Sequence, residues 1–362
     1  MGFTCGLVGL PNAGKSTIFN ALSGAGARVE AYPFCTIEAN MGTVPVPDAR
    51  LDRLAALFPE KKRVPTHLEF IDIAGLVQGA SGGEGMGNQF LSEIRSVDAI
   101  LHVVRCFADQ NVAHVAGDLD PIRDIEVVET ELLLKDLETM TRVRERLVRE
   151  TKGPDRRAPA RLAAWEKLLN AVAEGIPLRD QEIPHEVEDL VREVSPLSIK
   201  PLIYVANVDD SGGNEHSRRV VEYAERTGKE AIVIRGRLEA EIAEAAGSDE
   251  ERRAFLAEWG LSETSLAKLI RAGYRALDLV TFFTFAGPEV RAWTVRKGTT
   301  APQAGGRIHS DFAERFVLAE VMDLDELVAA GSEHALREAG RITRAGRDYI
   351  VRDGDVIHFI CA

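Results

Sequence analysis

Cysteine is scarce in this chain of 362 residues, and its four copies lie far apart. Cys5, Cys35, Cys106 and Cys361 form no C-x-x-C pair and lie near no cluster of histidines. Disulfide frameworks and structural zinc sites need several cysteines or histidines at short, regular spacing. We therefore expect reduced thiols, a cytoplasmic location and no zinc site.

Long apolar runs are also missing. No stretch approaches the roughly 20 apolar residues that a membrane-spanning helix needs, and the sequence opens on a strand pattern instead of a signal peptide. Positive charge is in deficit, with 44 Lys and Arg against 57 Asp and Glu, and the net charge is −13. We expect no membrane partner and no bulk binding of DNA, although a local basic patch is compatible with this balance.

What the chain does have is a glycine-rich loop close to its start. Residues 9–17 fit the pattern G-x-x-x-x-G-K-[ST], between a buried strand pattern and a helical one. A chance glycine turn would not explain both flanks. In this context backbone N–H groups surround a phosphate at the positive end of a helix. Lys15 is expected to reach the β- and γ-phosphates. The residues expected to bind nucleotide here are Asn12, Ala13, Gly14, Lys15, Ser16 and Thr17.

Three residues are expected to ligate Mg²⁺: Ser16, Thr36 and Asp72. The Ser16 hydroxyl follows the phosphate loop directly. Thr36 stands where switch-type NTPases carry a threonine that closes over Mg²⁺ and the γ-phosphate, although a β-prone threonine before an isoleucine needs no function. Asp72 ends a strand pattern and begins a D-x-x-G motif. The motif ends in Gly75, whose N–H is expected to sense the γ-phosphate.

The segment after this motif is typical of a switch. Residues 79–87 are too rich in glycine to be rigid without a ligand. Leu76 stands where Ras-like relatives carry a glutamine that orients water, and its side chain has no hydrogen-bonding group. Either hydrolysis is very slow, or another residue positions the attacking water.

A helical hairpin is predicted over residues 125–198, inside an alternating strand–helix domain that occupies 1–124 and 199–277. Leu and Val at three- and four-residue spacing indicate the helices, and Gly153-Pro154 breaks them. Between Arg142 and Arg161, eight basic residues stand against three acidic ones. Both a solvated helix face and an RNA-facing tip fit this excess.

A motif near residue 207 is expected to read the base. The strand pattern over residues 200–207 ends in Asn207-Val208-Asp209-Asp210, where guanine-specific GTPases carry N-K-x-D. We expect Asn207, Val208 and Asp210 to contact the nucleotide.

The character of the chain changes at residue 278. Short strand patterns at 282–285, 292–295, 348–351 and 356–359, with one helical turn at 312–316, predict a ubiquitin-like β-grasp domain over 278–362. The expected fold is therefore α/β: a switch-type P-loop NTPase domain with a helical-hairpin insertion and a C-terminal β-grasp domain.

Motifs along the whole chain resemble those of the Obg-like ATPases of the YchF type. The resemblance rests on residues 9–17, 32–38 and 72–77, and on 291–299, 301–304, 307–312 and 353–359, which resemble the TGS domain of that family. It implies a P-loop NTPase core of the Obg branch (Obg/Ras-like G-domain) that acts as a switch ATPase with Mg²⁺ as cofactor. It also implies slow hydrolysis of ATP in preference to GTP, and association with ribosomes, including the large subunit and its RNA. The alternative is a nucleotide-gated adaptor that binds RNA or protein through the TGS domain, with incidental hydrolysis and use of both nucleotides.

The resemblance also implies roles for single residues. The family replaces the catalytic glutamine with a hydrophobic residue, which Leu76 matches. His114 corresponds to a loop histidine that assists hydrolysis, because an imidazole near neutral pKa can orient or deprotonate water. With Lys15 it forms the expected catalytic set. Asn12 matches an asparagine that helps to hold K⁺ against the phosphates in related NTPases.

The base motif departs from the family in one position. The family commonly ends it with Glu, whereas Asp210 stands here, as in guanine-specific enzymes. A carboxylate at that point accepts the N1 and N2 hydrogens of guanine, which adenine cannot offer. Val208 replaces the lysine that supports guanine specificity. We expect ATP as the nucleotide, with GTP as the alternative.

Overall fold

The computed structural model describes residues 2–24, 28–31, 40–73, 86–108, 118–245 and 249–362. Four of the residues singled out above, Thr36, Gly75, Leu76 and His114, lie outside the described residues, as do 79–85 of the glycine-rich segment. The chain divides into two compact units. The first comprises Met1–Val44 and Glu69–Gly273, and the second Pro45–Leu68 and Tyr274–Ala362.

The described residues form thirteen strands and fourteen α-helices. The strands are β1 (Thr4–Val8), β2 (Arg28–Ala31), β3 (Asn40–Pro45), β4 (Lys62–Val64), β5 (His67–Asp72), β6 (Ala99–Arg105), β7 (Leu202–Asn207), β8 (Glu230–Ile234), β9 (Leu279–Thr284), β10 (Glu289–Arg296), β11 (Phe316–Met322), β12 (Thr343–Ala345) and β13 (Val356–Cys361). The helices are α1 (Lys15–Gly24), α2 (Ala49–Ala55), α3 (Met86–Ser96), α4 (Pro121–Glu150), α5 (Ala158–Ala173), α6 (Glu188–Val194), α7 (Glu215–Arg226), α8 (Gly236–Ala245), α9 (Asp249–Glu258), α10 (Ser265–Ala276), α11 (Ala301–Ile308), α12 (Ser310–Glu314), α13 (Leu324–Ala330) and α14 (Glu333–Glu338). Among them, no helix is both long and apolar enough to cross a membrane.

The first unit is built on a seven-stranded sheet in the order β2-β3-β5-β1-β6-β7-β8. β1 lies in the interior and pairs in parallel with β5 and β6, and β7 and β8 continue the parallel arrangement. Helices cover both faces of such sheets, so the central strands are mostly apolar, and β6 is buried at every position. Ligands bind at the carboxyl ends of these strands, where the order reverses. The expected α/β class is confirmed.

The helical hairpin has its own core. Trp165 of α5 is fully buried, and its indole Nε1 donates to the Met140 carbonyl of α4 at 3.0 Å. α4 begins earlier than the sequence pattern predicted, because Asp120 caps it by accepting from the Ile122 N–H. Asp136 of α4 is buried and accepts from two backbone N–H groups, those of Leu197 and Ser198, both at 2.7 Å. It thereby holds the segment through which the chain returns to β7.

Asp136→Ala is expected to lower the free energy of unfolding by about 3 kcal/mol, because two buried N–H groups lose a charged acceptor. Urea titration followed by circular dichroism measures the change. Glu145→Ala, an exposed position on the same helix, is the control and should change stability by less than about 0.5 kcal/mol. Equal effects of the two substitutions would show that Asp136 does not stabilise the hairpin.

The second unit contains a six-stranded sheet in the order β12-β11-β13-β9-β10-β4. β4 comes from the N-terminal third of the chain and pairs in parallel with β10. Leu51 and Leu54 of α2 are fully buried in a cluster with Phe283. The prediction that 1–124 belongs continuously to the nucleotide-binding domain is therefore wrong for 45–68, because this segment buries its apolar residues among C-terminal ones.

Two details of the C-terminal prediction are also wrong. Residues 348–351 form no strand, and Ile350 makes only an isolated bridge to Thr300. The Tyr349 hydroxyl and the Arg352 N–H both donate to the Asp355 carboxylate, so a side chain and not a neighbouring strand accepts from the Arg352 backbone. Residues 278–362 also contain four helices, α11 to α14, instead of one helical turn. Their short lengths and polar caps obscure the helical period in the sequence.

Candidate nucleotide-binding site

The glycine-rich loop connects the carboxyl end of β1 to α1, and two of its glycines are required by close contacts. A Cβ at Gly9 would lie 2.3 Å from the Val103 carbonyl oxygen of β6. Gly14 has φ +94°, and a Cβ there would lie 2.1 Å from Nδ2 of Asn207. Asn12 adopts φ 63°, a left-handed conformation that asparagine tolerates. These contacts fix the path of the loop against β6 and β7.

Lys15 is the first residue of α1 and is buried. Its Nζ donates to the carbonyls of Gly9 and Leu10 at 3.2 and 3.0 Å, which places the ammonium inside the loop. Burial lowers the pKa of this lysine, and the nearby Asp72 raises it. The first turn of α1 carries no acidic residue of its own, so the positive end of the helix is open to an anion from outside the helix. The arrangement suits a phosphate group.

Ser16 and Asp72 lie next to each other, at the start of α1 and the end of β5. The Ser16 hydroxyl donates to the Asp72 carboxylate. Burial raises the pKa of Asp72, while this hydrogen bond and the charge of Lys15 lower it. Two adjacent oxygen donors, one of them a carboxylate desolvated by burial, are ligands that Mg²⁺ prefers. The residues present therefore fit a magnesium site, whose third expected ligand, Thr36, lies outside the described residues.

Asn207 braces the loop from the end of β7. Its Nδ2 donates to the Ala13 carbonyl at 3.0 Å, and its Oδ1 accepts from the Gly236 N–H at 3.1 Å. Asn207 is buried, so these bonds are shielded from water and fix the side chain. The phosphate loop, the base motif and the start of α8 are thereby connected through one amide.

The other two residues of the base motif differ in environment. Val208 is buried in the apolar core, and its N–H donates to the Ile234 carbonyl at 2.8 Å. The Asp210 carboxylate has one oxygen, Oδ1, that is buried and has no hydrogen-bond partner among the described residues. Burying an unpaired carboxylate oxygen is costly, which marks Asp210 as a group able to accept a hydrogen bond from a ligand.

The structure thus brings several predicted site residues together at one edge of the sheet: Ala13, Gly14, Lys15, Ser16, Asp72 and Asn207. Thr17 is exposed on α1. Two residues at this edge were not among the predicted site residues, namely Gly236 and Arg235 before it. A Cβ at Gly236 would lie 2.8 Å from Oδ1 of Asn207. The glycine close behind the apolar residues of β8 was the sequence signal that could have identified this contact.

Comparison with known proteins gives matches to both units. The family model MMR_HSR1, described as a 50S ribosome-binding GTPase, matches residues 4–137. The model YchF-GTPase_C, described as a protein of unknown function (DUF933), matches residues 279–361. The proteins named Ribosome-binding ATPase YchF from Escherichia coli O157:H7 and Bacillus subtilis (strain 168) are each 48% identical to this chain, and the alignments cover 99% of both partners.

Solved structures give the same relationship. The YchF GTPase of Schizosaccharomyces pombe matches with a TM-score of 0.87 and 36% identity, over 99% of this chain and 97% of that one. A GTP binding protein from Pyrococcus horikoshii OT3 shares the fold, with a TM-score of 0.58 and 18% identity over 99% of this chain and 100% of that one. The names of these relatives differ in the nucleotide: the bacterial proteins are called ATPases and the Schizosaccharomyces pombe protein a GTPase.

Proposed function

The chain belongs to the YchF family, and we propose that it is a magnesium-dependent ATPase that hydrolyses ATP slowly and binds ribosomes. The observation that carries the proposal is the cluster of Lys15, Ser16 and Asp72 at the carboxyl edge of the first sheet. It lies beside a loop whose glycines are required by close contacts. The names of full-length relatives support the activity and the partner.

The described residues account for binding of a nucleoside triphosphate. Phosphate oxygens would replace the carbonyls of Gly9 and Leu10 as acceptors for the Lys15 ammonium. Ser16 and Asp72 would hold Mg²⁺, which when bound supplies positive charge to the β- and γ-phosphate oxygens. Backbone N–H groups at the start of α1 add fixed dipoles, and these cost no reorganisation during the reaction.

The residues proposed for hydrolysis itself are His114, with Thr36 and Gly75 near the γ-phosphate. We propose that His114 orients or deprotonates the attacking water, which Leu76 cannot do. K⁺ held by Asn12 would add positive charge of the kind that an arginine supplies in other NTPases. Asn207, Val208 and Asp210 would contact the base, with ATP preferred because Val208 replaces the lysine of guanine-specific enzymes.

For the ribosome, the proposed RNA contact is the tip of the helical hairpin. Along its sides, basic residues are neutralised by ion pairs: Arg142 with Glu138, Arg144 with Glu166, Arg146 with Glu193 and Arg161 with Asp189. Lys152, Arg156 and Arg157, between α4 and α5, are exposed and have no ion pair within the described ranges. The tip is therefore where the local positive charge is available to phosphates. That the C-terminal unit is a TGS domain is also part of this proposal.

Replacing the tip residues by Lys152→Gln, Arg156→Gln and Arg157→Gln together is expected to weaken ribosome binding roughly ten-fold at about 0.1 M salt, with a shallower salt dependence. Co-sedimentation with purified ribosomes at several salt concentrations measures both. The matched control replaces Arg142, Arg144 and Arg146 by glutamine, because those charges are already paired. Equal weakening by the two triple variants would contradict a contact confined to the tip. Unchanged binding in both would indicate a solvated helix face.

A further inference from the structure

Arg235 lies at the corner of the site where the base is expected. It follows β8 directly and precedes Gly236, whose N–H donates to Asn207. Its guanidinium lies against Gly212, where a Cβ would be 2.6 Å from Nη2 and 3.2 Å from Nε. Gly212 ends a turn that begins at Asp209, since its N–H donates to the Asp209 carbonyl at 3.1 Å. The side chain of Arg235 therefore extends back over the turn that contains Asp210.

The charges at this corner are not neutralised by each other. No carboxylate of the described part of the chain lies within ion-pair distance of the Arg235 guanidinium, and Oδ1 of Asp210 is buried without a partner there. By contrast, Arg237, two residues further on, is exposed and pairs with Glu241 in the next turn of α8 at 3.1 Å. One arginine of this segment thus has an ordinary surface ion pair, and the other is held beside the base motif by packing.

The two charged groups have opposite hydrogen-bonding character. A carboxylate only accepts and a guanidinium only donates. Guanine presents O6 and N7 as neighbouring acceptors, a pattern that arginine binds with two hydrogen bonds, and it presents N–H donors at positions 1 and 2. Adenine has an amino group at position 6, which is a donor and cannot accept from arginine. An arginine beside Asp210 therefore distinguishes guanine from adenine by the group at position 6 of the purine.

We propose that Arg235 is a specificity-determining residue that contacts the purine at position 6 and N7. By favouring guanine, it reduces the margin by which this site prefers ATP over GTP. The inference rests on the proposed nucleotide site. Asp210 reads the adjacent Watson–Crick edge at positions 1 and 2, so the two side chains together bind neighbouring edges of guanine. Val208 acts against guanine, and Arg235 offsets part of that effect.

The test is the ratio of GTP to ATP affinity, measured by calorimetric titration with Mg²⁺ in the parent chain and in Arg235→Ala. The ratio is expected to fall about ten-fold, the scale of one bidentate arginine–guanine contact. Arg235→Lys keeps the charge without the planar fork and should give an intermediate ratio. Arg237→Ala is the control, and its ratio should equal that of the parent.

Inosine triphosphate separates the two base-reading residues, because it keeps O6 and N7 and lacks the 2-amino group. Arg235→Ala should weaken GTP and inosine triphosphate equally, whereas Asp210→Ala should weaken GTP more. Equal loss of ATP and GTP affinity in Arg235→Ala would overturn the proposal in favour of general electrostatics or a structural role. A parent chain that binds ATP and no GTP would overturn it too. A parent that binds both and releases no phosphate would contradict the ATPase activity instead, and the affinity ratio would still decide the role of Arg235.

Discussion

Replacing Lys15 with methionine is expected to weaken ATP binding about 100-fold or more, because removing one partner of a buried, hydrogen-bonded charge pair typically costs 2–5 kcal/mol. Methionine keeps an unbranched apolar chain and removes the ammonium, so packing at the start of α1 is largely retained. The ammonium is already placed inside the loop by two carbonyls, so nucleotide binding requires little rearrangement of this side chain. Calorimetric titration of ATP with Mg²⁺ measures the loss.

Lys200→Met is the matched control for this substitution. Lys200 is also buried, its Nζ donates to the carbonyls of Arg95 and Val97, and burial lowers its pKa, as it does for Lys15. Lys200 precedes the amino end of β7, whereas Asn207 and the phosphate loop are at the carboxyl end. The control variant should lose stability and keep its ATP affinity. If both variants lost ATP affinity equally, the loss would come from replacing a buried ammonium with an uncharged side chain, and not from a missing phosphate contact.

The second large effect is expected at His114. His114→Ala should lower the rate of ATP hydrolysis by about ten- to a thousand-fold, the scale of a lost acid–base or orienting group. ATP affinity should stay close to that of the parent, since the side chain would act on water and not on the ground-state nucleotide. Single-turnover hydrolysis at saturating ATP measures the chemical step directly.

Another histidine in the sheet next to the phosphate loop cannot take this role. His102 of β6 pairs with Val8 at the end of β1, and it is fully enclosed. Burial, and to a lesser extent the charges of Arg179 and Lys15, lowers its pKa to about 3, so it remains neutral near pH 7. His185→Ala, an exposed position in the helical insertion, is the control for His114→Ala. Equal single-turnover rates in the parent and His114→Ala would remove His114 from the mechanism, and a matched loss of ATP affinity would make its role one of binding.

The sequence predicted the parts of the fold that depend on local pattern. The strand before the glycine loop, the helix after it and the strand ending at Asp72 all occur where the periodicity of apolar residues indicated them. The long helix of the hairpin was also predicted, because its apolar residues keep helical spacing over many turns. Phosphate-loop residues could be named individually because their pattern fixes a backbone shape, and the shape brings Lys15 and Ser16 to the positions described.

Contacts between segments that are distant in the chain could not be predicted from the sequence. Nothing local to Leu51 and Leu54 shows that they pack against Phe283, so 45–68 was assigned to the wrong unit. The bracing of Asn207 by Ala13 and Gly236 likewise joins three segments that are far apart in the chain. Arg235 was overlooked for the same reason, since its importance follows from its contact with Gly212. Such pairings depend on the order of strands in the sheet, which periodicity does not specify.

The most direct test of the account is phosphate release from ATP by the purified chain, measured with Mg²⁺ and again after chelation by EDTA. The account predicts slow, repeated turnover that requires Mg²⁺, is faster with ATP than with an equal concentration of GTP, and is absent from Lys15→Met. Release no faster than that of Lys15→Met, or turnover of GTP alone, would contradict it.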